Sequence, residues 1–242
     1  MRLSRLYCEQ ELIAGSELIL GEDAAHYLGK VLRMKPGFRL AVFNGNAGEI
    51  HGDIVAIGKR DIRIQLNATA SRSPETLLPV HIGLGLSRGE RMDYAVQKAT
   101  ELGVTQITPL FTEFSEVRLD SDRADRRTQH WQKVAVSAAE QCGRCSVPTI
   151  FNPVTLNDWL TTVPAGCGFL LDHTGSAGFL GDKPDTVFLL IGPEGGISDS
   201  ERQLASAHGF HTVRLGPRIL RTETAPVVAL TALQMKWGDF SV

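Results

Sequence analysis

The sequence of 242 residues lacks long apolar runs and a large excess of charge of one sign. No stretch approaches the roughly 18 to 20 apolar residues that span a bilayer. The first eight residues, Met1 to Cys8, lack the apolar centre of a secretory signal peptide. The formal net charge is −2, so contact with RNA or DNA would need a local cluster of Lys and Arg. We therefore expect a cytoplasmic protein that does not bind membranes.

Cysteine is also scarce, with four residues in the chain. Cys142 and Cys145 have CxxC spacing, but a second pair that would complete a zinc site is missing. This pair closes a long helical stretch, whereas a thioredoxin-like CxxC opens a helix, so the spacing favours buried thiols. The seven histidines show no spacing typical of metal ligands. We expect no metal ion.

Residues 1–70 have the pattern of short β-branched strands interrupted by one helix from about Asp23 to Met34. This pattern predicts a small β-barrel or sandwich. Residues 69–76 are polar and contain a proline, which indicates a linker, placed at 71–78. The predicted strands cover about 39–43, 50–57 and 62–66.

Strands and helices alternate over residues 79–242. This alternation predicts an α/β domain with a mainly parallel sheet covered on both faces. The predicted strands cover about 80–86, 107–111, 168–171, 186–191 and 211–215, and the predicted helices about 90–102, 123–141, 198–207 and 224–237.

The motifs that hold phosphate are missing from this α/β half. Neither GxGxxG nor GxxxxGK[ST] occurs, so neither a dinucleotide nor a nucleoside triphosphate is indicated. Instead, Gly192-Pro193 and Gly216-Pro217 each end an apolar strand. Because ligands of open α/β sheets bind outside the carboxyl ends of strands, two adjacent ends of this kind predict two walls of one pocket.

The residues of the two loops indicate what the pocket would hold. Glu194, in the first loop, would repel phosphate and favour a ligand with positive charge and hydroxyl groups. In the second loop, Arg218 and Arg221 accompany apolar Ile219 and Leu220. This mixture suits an adenine-sized ring in an apolar slot with guanidinium groups at its rim. Ser198 and Glu201, after the first loop, have the spacing of a helix capping box.

Four stretches in order, SRGERMDYAVQKATELGV, AAEQCGR, LLIGPEGG and LGPRILRTETA, resemble the 16S ribosomal RNA uridine-N3 methyltransferases of the SPOUT superfamily. The resemblance covers essentially the whole chain. It implies a PUA-like RNA-binding β-barrel over residues 1–70 and a SPOUT methyltransferase domain with a C-terminal trefoil knot over residues 79–242. It also implies a homodimer that uses S-adenosylmethionine, whose cationic sulfonium suits a loop that carries a carboxylate and no lysine.

The resemblance assigns roles to individual residues. Gln141 and Arg144 would face the reacting end of the donor. From their positions in the loops alone, we hypothesise that Arg144 or Arg221 would stabilise negative charge on the uracil carbonyls, and that Glu194 or a water would accept the N3 proton. The residues expected to hold the donor are Leu171, Gly192, Pro193, Glu194, Gly195, Gly196, Leu215, Gly216, Arg218, Ile219, Leu220, Arg221 and Thr222.

The expected partner is 16S ribosomal RNA or the small ribosomal subunit. The target uridine must be unpaired or extruded, because N3 takes part in Watson–Crick pairing. Two alternatives stay open: a SPOUT enzyme that acts on another RNA or on ribose 2′-oxygen, and a non-catalytic RNA-binding dimer. The residues expected to contact RNA are Arg2, Arg5, Lys30, Arg33, Lys35, Arg88 and Arg91.

Overall fold

The computed structural model describes residues 3–45, 48–70, 78–164 and 168–240. These residues form two compact units, the first with the described residues up to 70 together with Ala139–Ser146, and the second with the remainder. The sequence pattern gave no sign that residues 139–146 group with the N-terminal unit. Arg2, Cys167 and positions 71–77 of the predicted linker lie outside the described residues.

The first unit contains five strands, of which three were predicted. Their bounds are β1 (Ser4–Tyr7), β2 (Glu17–Leu20), β3 (Arg39–Phe43), β4 (Glu49–Ile57) and β5 (Ile62–Ala70). They form one sheet in the order β1-β3-β4-β5-β2, with β1 and β3 parallel and the other neighbours antiparallel. Strands β1 and β2 were missed because four residues are too few to show an alternating pattern.

The helix of the first unit is shorter and more irregular than predicted. Helix α1 (Glu22–His26) begins after Gly21 and continues into a π-helical turn, Tyr27–Val31. The chain then leaves helical geometry at Arg33, whose φ is 53°. Buried Leu28 and Met34 attach the segment to the core of this unit. Asp23, where the helix was predicted to begin, lies inside the first turn.

The segment 139–146 is held to β1 by a buried cation. Arg5 Nε donates a hydrogen bond to Glu49 Oε2 at 2.8 Å, and its Nη1 donates to the carbonyl oxygen of Ala139 at 2.9 Å. The guanidinium lies over the Phe43 ring, 4.4 Å from its centroid, and Nη2 is 3.4 Å from Cys145 Sγ. Arg5 therefore stabilises the interior of the first unit. Because its side chain is buried, the prediction that Arg5 contacts RNA is wrong.

The second unit is a three-layer α/β structure. Its elements are β6 (Val80–Gly85), α2 (Glu90–Glu101), β7 (Gln106–Phe111), α3 (Ser121–Cys142), β8 (Thr149–Ile150), β9 (Val154–Thr155), α4 (Leu156–Thr162), β10 (Gly168–Ala177), β11 (Val187–Ile191), α5 (Asp199–Ala207), β12 (Phe210–Arg214) and α6 (Ala225–Trp237). The last four residues of α3 group with the first unit.

All strand pairs of this unit are parallel, in the order β12-β10-β11-β6-β7-β8, with β9 also paired to β7. Leu189 of β11 belongs to the core cluster that contains α2 and α6, and Leu190 belongs to the cluster that contains α4 and α5. Since neighbouring residues of a strand point to opposite faces, both faces of the sheet are covered. The predicted parallel α/β fold is confirmed.

None of the helices in the described part of the chain has the length and apolar character needed to cross a bilayer.

A neutral histidine is buried beside the sheet. Trp159 Nε1 donates to His81 Nε2 at 3.3 Å, and Thr108 Oγ1 lies 2.8 Å from the same nitrogen. Because an indole N–H only donates, Nε2 must carry a lone pair, which requires the uncharged ring. Burial lowers the pKa of His81 to about 4.

We predict that this histidine makes the protein less stable in mild acid. The unfolded chain binds a proton below its pKa of 6.5, while the folded chain does not until about pH 4. The free energy of unfolding should therefore fall by about 2 kcal/mol between pH 7 and pH 5. Urea unfolding at both pH values tests this. His81→Gln should lose this part of the pH dependence, and His26→Gln, at an exposed position, should retain it.

Candidate functional site

A cavity of about 500 Å³ lies at the carboxyl ends of β10, β11 and β12 in the second unit. This volume is within the range of roughly 300 to 1,000 Å³ found for small-molecule pockets. Strand β10 lies between β11 and β12, so the two Gly-Pro loops are not on adjacent strands, and that detail of the prediction is wrong. Leu171, at the end of the first part of β10, occupies the place between them.

The first loop is shaped by backbone packing that leaves little room for side chains. The Gly196 amide donates to the carbonyl oxygen of Pro193 at 2.9 Å, and Gly196 has a φ of 77°, which favours glycine. A Cβ on Gly195 would lie 2.6 Å from Cβ of Phe114. The loop passes directly into α5, where Ser198 and Glu201 form the predicted capping box.

The second loop gives the cavity an open, amphipathic rim. Gly216 turns the chain with a φ of 82°. Ile219 is 86% exposed at the loop tip, while Thr222 is buried. Arg218 and Arg221 are exposed on either side of Ile219. The expected donor residues that line the cavity are Leu171, Gly192, Pro193, Glu194, Gly196, Leu215, Gly216, Arg218, Ile219, Leu220, Arg221 and Thr222; Gly195 does not line it.

The carboxylate of the first loop is paired with a cation that also lines the cavity. Arg91, in the first turn of α2, forms an ion pair with Glu194. Desolvation would raise the pKa of Glu194, but hydrogen bonds from its own amide, from Arg91 and from the Arg88 backbone bring it below its usual value. Glu194 is therefore ionised at neutral pH. A carboxylate with a lowered pKa is a weak proton acceptor, which argues against Glu194 as the general base.

A second carboxylate of the cavity, Asp172, was missed by the sequence analysis. It follows the apolar run of β10, the position at which polar side chains reach ligands in parallel sheets. Its Oδ1 accepts hydrogen bonds from the amide and hydroxyl of Thr174, both at 2.8 Å, and its Oδ2 accepts one from Arg202 at 2.8 Å. Burial would raise the pKa of Asp172, but these bonds lower it overall. The buried anion thus fixes β10 at the point where its first, apolar part ends.

The two catalytic candidates of the AAEQCGR stretch lie elsewhere in the chain. Gln141 and Arg144 belong to residues 139–146, which group with the first unit, and neither lines the cavity. Arg144 is buried, and its Nη2 donates to Ser146 Oγ at 3.0 Å. Gln141 is exposed. Their expected role at the reacting end of a donor stays a prediction.

The residues expected to contact RNA differ in whether their side chains pair with other residues of the protein. Lys30, Arg33 and Lys35 are exposed, and their side chains make no hydrogen bond or ion pair with another described residue. Arg88 pairs with Glu116 at 2.9 Å, and both side chains are exposed. Among the residues that the structure describes, no group of three His, Cys, Asp or Glu side chains could hold a metal ion.

Comparison with protein families gives two matches along the chain. Residues 74–234 match the family described as RNA methyltransferase domain. Residues 20–67 match the family described as RNA methyltransferase PUA domain.

Relatives of known name match nearly the full length of this chain. The chain is 36% identical to ribosomal RNA small subunit methyltransferase E of Buchnera aphidicola subsp. Schizaphis graminum, over 99% of each protein. It is 32% identical to the protein of the same name from Synechocystis, over 95% of this chain and 76% of the relative.

Two solved structures share the fold over almost all of the chain. A ribosomal RNA small subunit methyltransferase E from Neisseria gonorrhoeae, bound to S-adenosylmethionine, has a TM-score of 0.92 at 30% identity and covers 99% of this chain and 100% of its own. A methyltransferase from Legionella pneumophila in complex with the same cofactor has a TM-score of 0.91 at 36% identity and covers 97% and 98%.

We predict that the Asp172 ion pair stabilises the cavity wall. Asp172→Asn should lower the free energy of unfolding by about 1 to 3 kcal/mol, because Arg202 loses a buried charged acceptor. Asp199→Asn is the matched control: Asp199 also pairs with Arg202, but its side chain is 91% exposed. Urea unfolding should show no change for Asp199→Asn. Equal losses of stability in the two variants would contradict the assignment.

Proposed function

This chain belongs to the family of the ribosomal RNA small subunit methyltransferases E, and on that premise we propose that it methylates N3 of a uridine in 16S ribosomal RNA. It is an RNA methyltransferase whose donor is S-adenosylmethionine. The observation that carries the proposal is the convergence of β10, β11 and β12 on one cavity, lined by both Gly-Pro loops and by Leu171.

The residues of the cavity fit this donor. A pocket without lysine in its glycine loop, but with the carboxylates of Asp172 and Glu194, suits a ligand that has a cationic centre and no phosphate. Apolar Leu171, Ile219 and Leu220 would hold the adenine, and the backbone of residues 192–194 and of Gly196 would hold the methionine part. When bound, the donor supplies an electrophilic methyl group.

The side chains at the rim supply positioning and charge. Arg221 is exposed, and its nearest anion, Glu223, is 4.0 Å away, so its guanidinium is available to negative charge on the uracil carbonyls. Glu194 is ionised, as a proton acceptor must be, but it is held in an ion pair with Arg91, so we propose that the N3 proton passes to solvent through a water and does not stay on this carboxylate. The transfer forms the N3–methyl bond as the sulfur–methyl bond breaks, and the proton leaves to solvent. In-line placement of uracil N3 and the methyl group would provide much of the acceleration.

Further features of the family belong to the same proposal. We propose a homodimer and a trefoil knot in the second unit. Support for the dimer comes from α6, which is predominantly apolar and leaves Met235 63% exposed. The proposed site of action is the cytoplasm, where the ribosomal substrate is found.

The packing beneath the first loop predicts a variant that loses donor binding. Gly85 ends β6 against this loop, and a Cβ there would lie 2.8 Å from the backbone carbon of Gly192 and closer to Pro193. Gly85→Ala must therefore displace the loop, and we expect the Kd for S-adenosylmethionine to rise at least about tenfold. Gly21→Ala, where a Cβ meets nothing within 4 Å, is the control that should bind normally in calorimetry.

The N3 assignment is tested by nucleoside mass spectrometry of ribosomal RNA from cells with and without the gene. We expect 3-methyluridine to disappear from 16S RNA in the deletion strain and to return with the wild-type gene, but not with the Gly85→Ala gene. Loss of a 2′-O-methylated nucleoside, or of a modification in another RNA, would support the alternative substrates. An unchanged profile together with normal donor binding would overturn the N3 proposal.

A further inference from the structure

One titratable side chain that lines the cavity takes no part in the transfer proposed above. It is His173, whose side chain is 65% exposed. Among the described residues that line the cavity, only His173 is a histidine, cysteine, lysine or tyrosine. An imidazole gains and loses a proton near neutral pH, and histidine is the residue that most often moves protons in catalysis. Apart from Asp172, the other charged residues that line the cavity are Arg91, Glu194, Arg214, Arg218, Arg221 and Glu223.

A buried anion lies next to this imidazole. His173 Nδ1 is 3.3 Å from Oδ1 of Asp172, whose side chain is only 7% exposed. The other carboxylate oxygen of Asp172 is paired with Arg202 of α5 at 2.8 Å, outside the cavity. Burial would raise the pKa of Asp172, but the hydrogen bonds that it accepts lower it overall, so the carboxylate is ionised at neutral pH. A negative oxygen beside Nδ1 favours a proton on that nitrogen and leaves the lone pair on Nε2.

The backbone on both sides of His173 is held by the sheet. Before it, Leu171 pairs with Ile191, the last residue of β11. After it, a Cβ on Gly175 would lie 2.7 Å from the backbone of Thr212, so the chain packs directly against β12. Strands β11 and β12 each lead into one of the two Gly-Pro loops. The imidazole is therefore carried by the strand between these loops, where a proton acceptor can be positioned for transfer.

We propose that His173 is the base of the methyl transfer and takes up the N3 proton through the intervening water. The water receives the proton from N3 and gives its own proton to Nε2, while the N3–methyl bond forms and the sulfur–methyl bond breaks. The carboxylate of Asp172 stabilises the imidazolium that results. Because the ring is largely exposed, it then returns the proton to solvent. This inference rests on the proposed function and supplies the acceptor that Glu194, held by Arg91, does not provide.

The first measurement is the single-turnover rate of methylation at a saturating concentration of S-adenosylmethionine. The substrate is the small ribosomal subunit isolated from the deletion strain. His173→Gln should lower this rate roughly 100-fold or more at neutral pH, because an amide cannot accept the proton. Calorimetry should give a Kd for S-adenosylmethionine close to that of the wild type. Thermal unfolding should also match, since the replaced side chain is exposed.

The pH dependence distinguishes a base from a residue that only shapes the cavity. The wild-type rate should fall as the pH is lowered from 8 to 6, because a protonated imidazole cannot accept a proton. The deficit of His173→Gln relative to wild type should shrink as the pH is raised, because N3 then loses its proton without a base. Effects of pH on the fold are common to both proteins and cancel in the ratio of their rates. Added imidazole should restore part of the rate to His173→Gln.

His130→Gln is the matched control. His130 Nε2 lies 2.7 Å from Oδ2 of Asp93, so this histidine of the second unit also lies beside a carboxylate, and its side chain is 47% exposed. It does not line the cavity. We expect this variant to keep the wild-type rate and pH dependence and to be unaffected by imidazole. Equal losses of rate in the two variants would overturn the role of His173.

The outcomes separate this inference from the proposed function. If wild-type protein methylates N3 and His173→Gln does so with the same rate and pH dependence, the base is wrong and the proposed function stands. A loss of rate that a higher donor concentration fully recovers would also overturn the base, because His173 would then act only in donor binding. A wild-type protein that transfers no methyl group to 16S RNA would overturn the proposed function, and this inference with it.

Discussion

Parallel pairing of β10 with both β11 and β12 is the constraint on which the candidate site depends. In a parallel sheet all carboxyl ends lie at one edge, so loops that leave three neighbouring strands must meet. A glycine allows the first loop to pack closely on the sheet, because Gly85 leaves no side chain between β6 and this loop. The cavity is a consequence of backbone geometry, and the side chains that line it select the ligand.

Charged residues divide into those that stabilise the fold and those left for ligands. Arg5 and Glu49 form a buried pair, and Asp172 with Arg202 fixes β10 where its apolar part ends. Breaking such a pair leaves a desolvated charge, so these residues are committed to structure. Arg221 at the cavity and Lys59 between β4 and β5 are exposed instead.

The parts predicted well from sequence are those that carry strong local signals. The alternation of strands and helices indicated the parallel fold, and the two Gly-Pro breaks marked two of the three strand ends at the cavity. The parts missed are short or depend on distant partners. Strands β8 and β9 have two residues each, too few for any periodicity. The position of β10 between β11 and β12 leaves no trace in sequence spacing.

The sequence by itself determined the class of fold and the character of the pocket, because hydrophobic periodicity, glycine and the absence of a phosphate motif act locally. Only the tertiary structure decided which charges are available. Arg5 and Arg33 were both expected from the sequence to contact RNA, yet burial against Glu49 removes the first from solvent, while the second is exposed. A cation is either exposed and able to bind a ligand, or buried in an ion pair that stabilises the fold. Which of the two applies depends on residues that are distant in sequence and are brought close by the packing of the core.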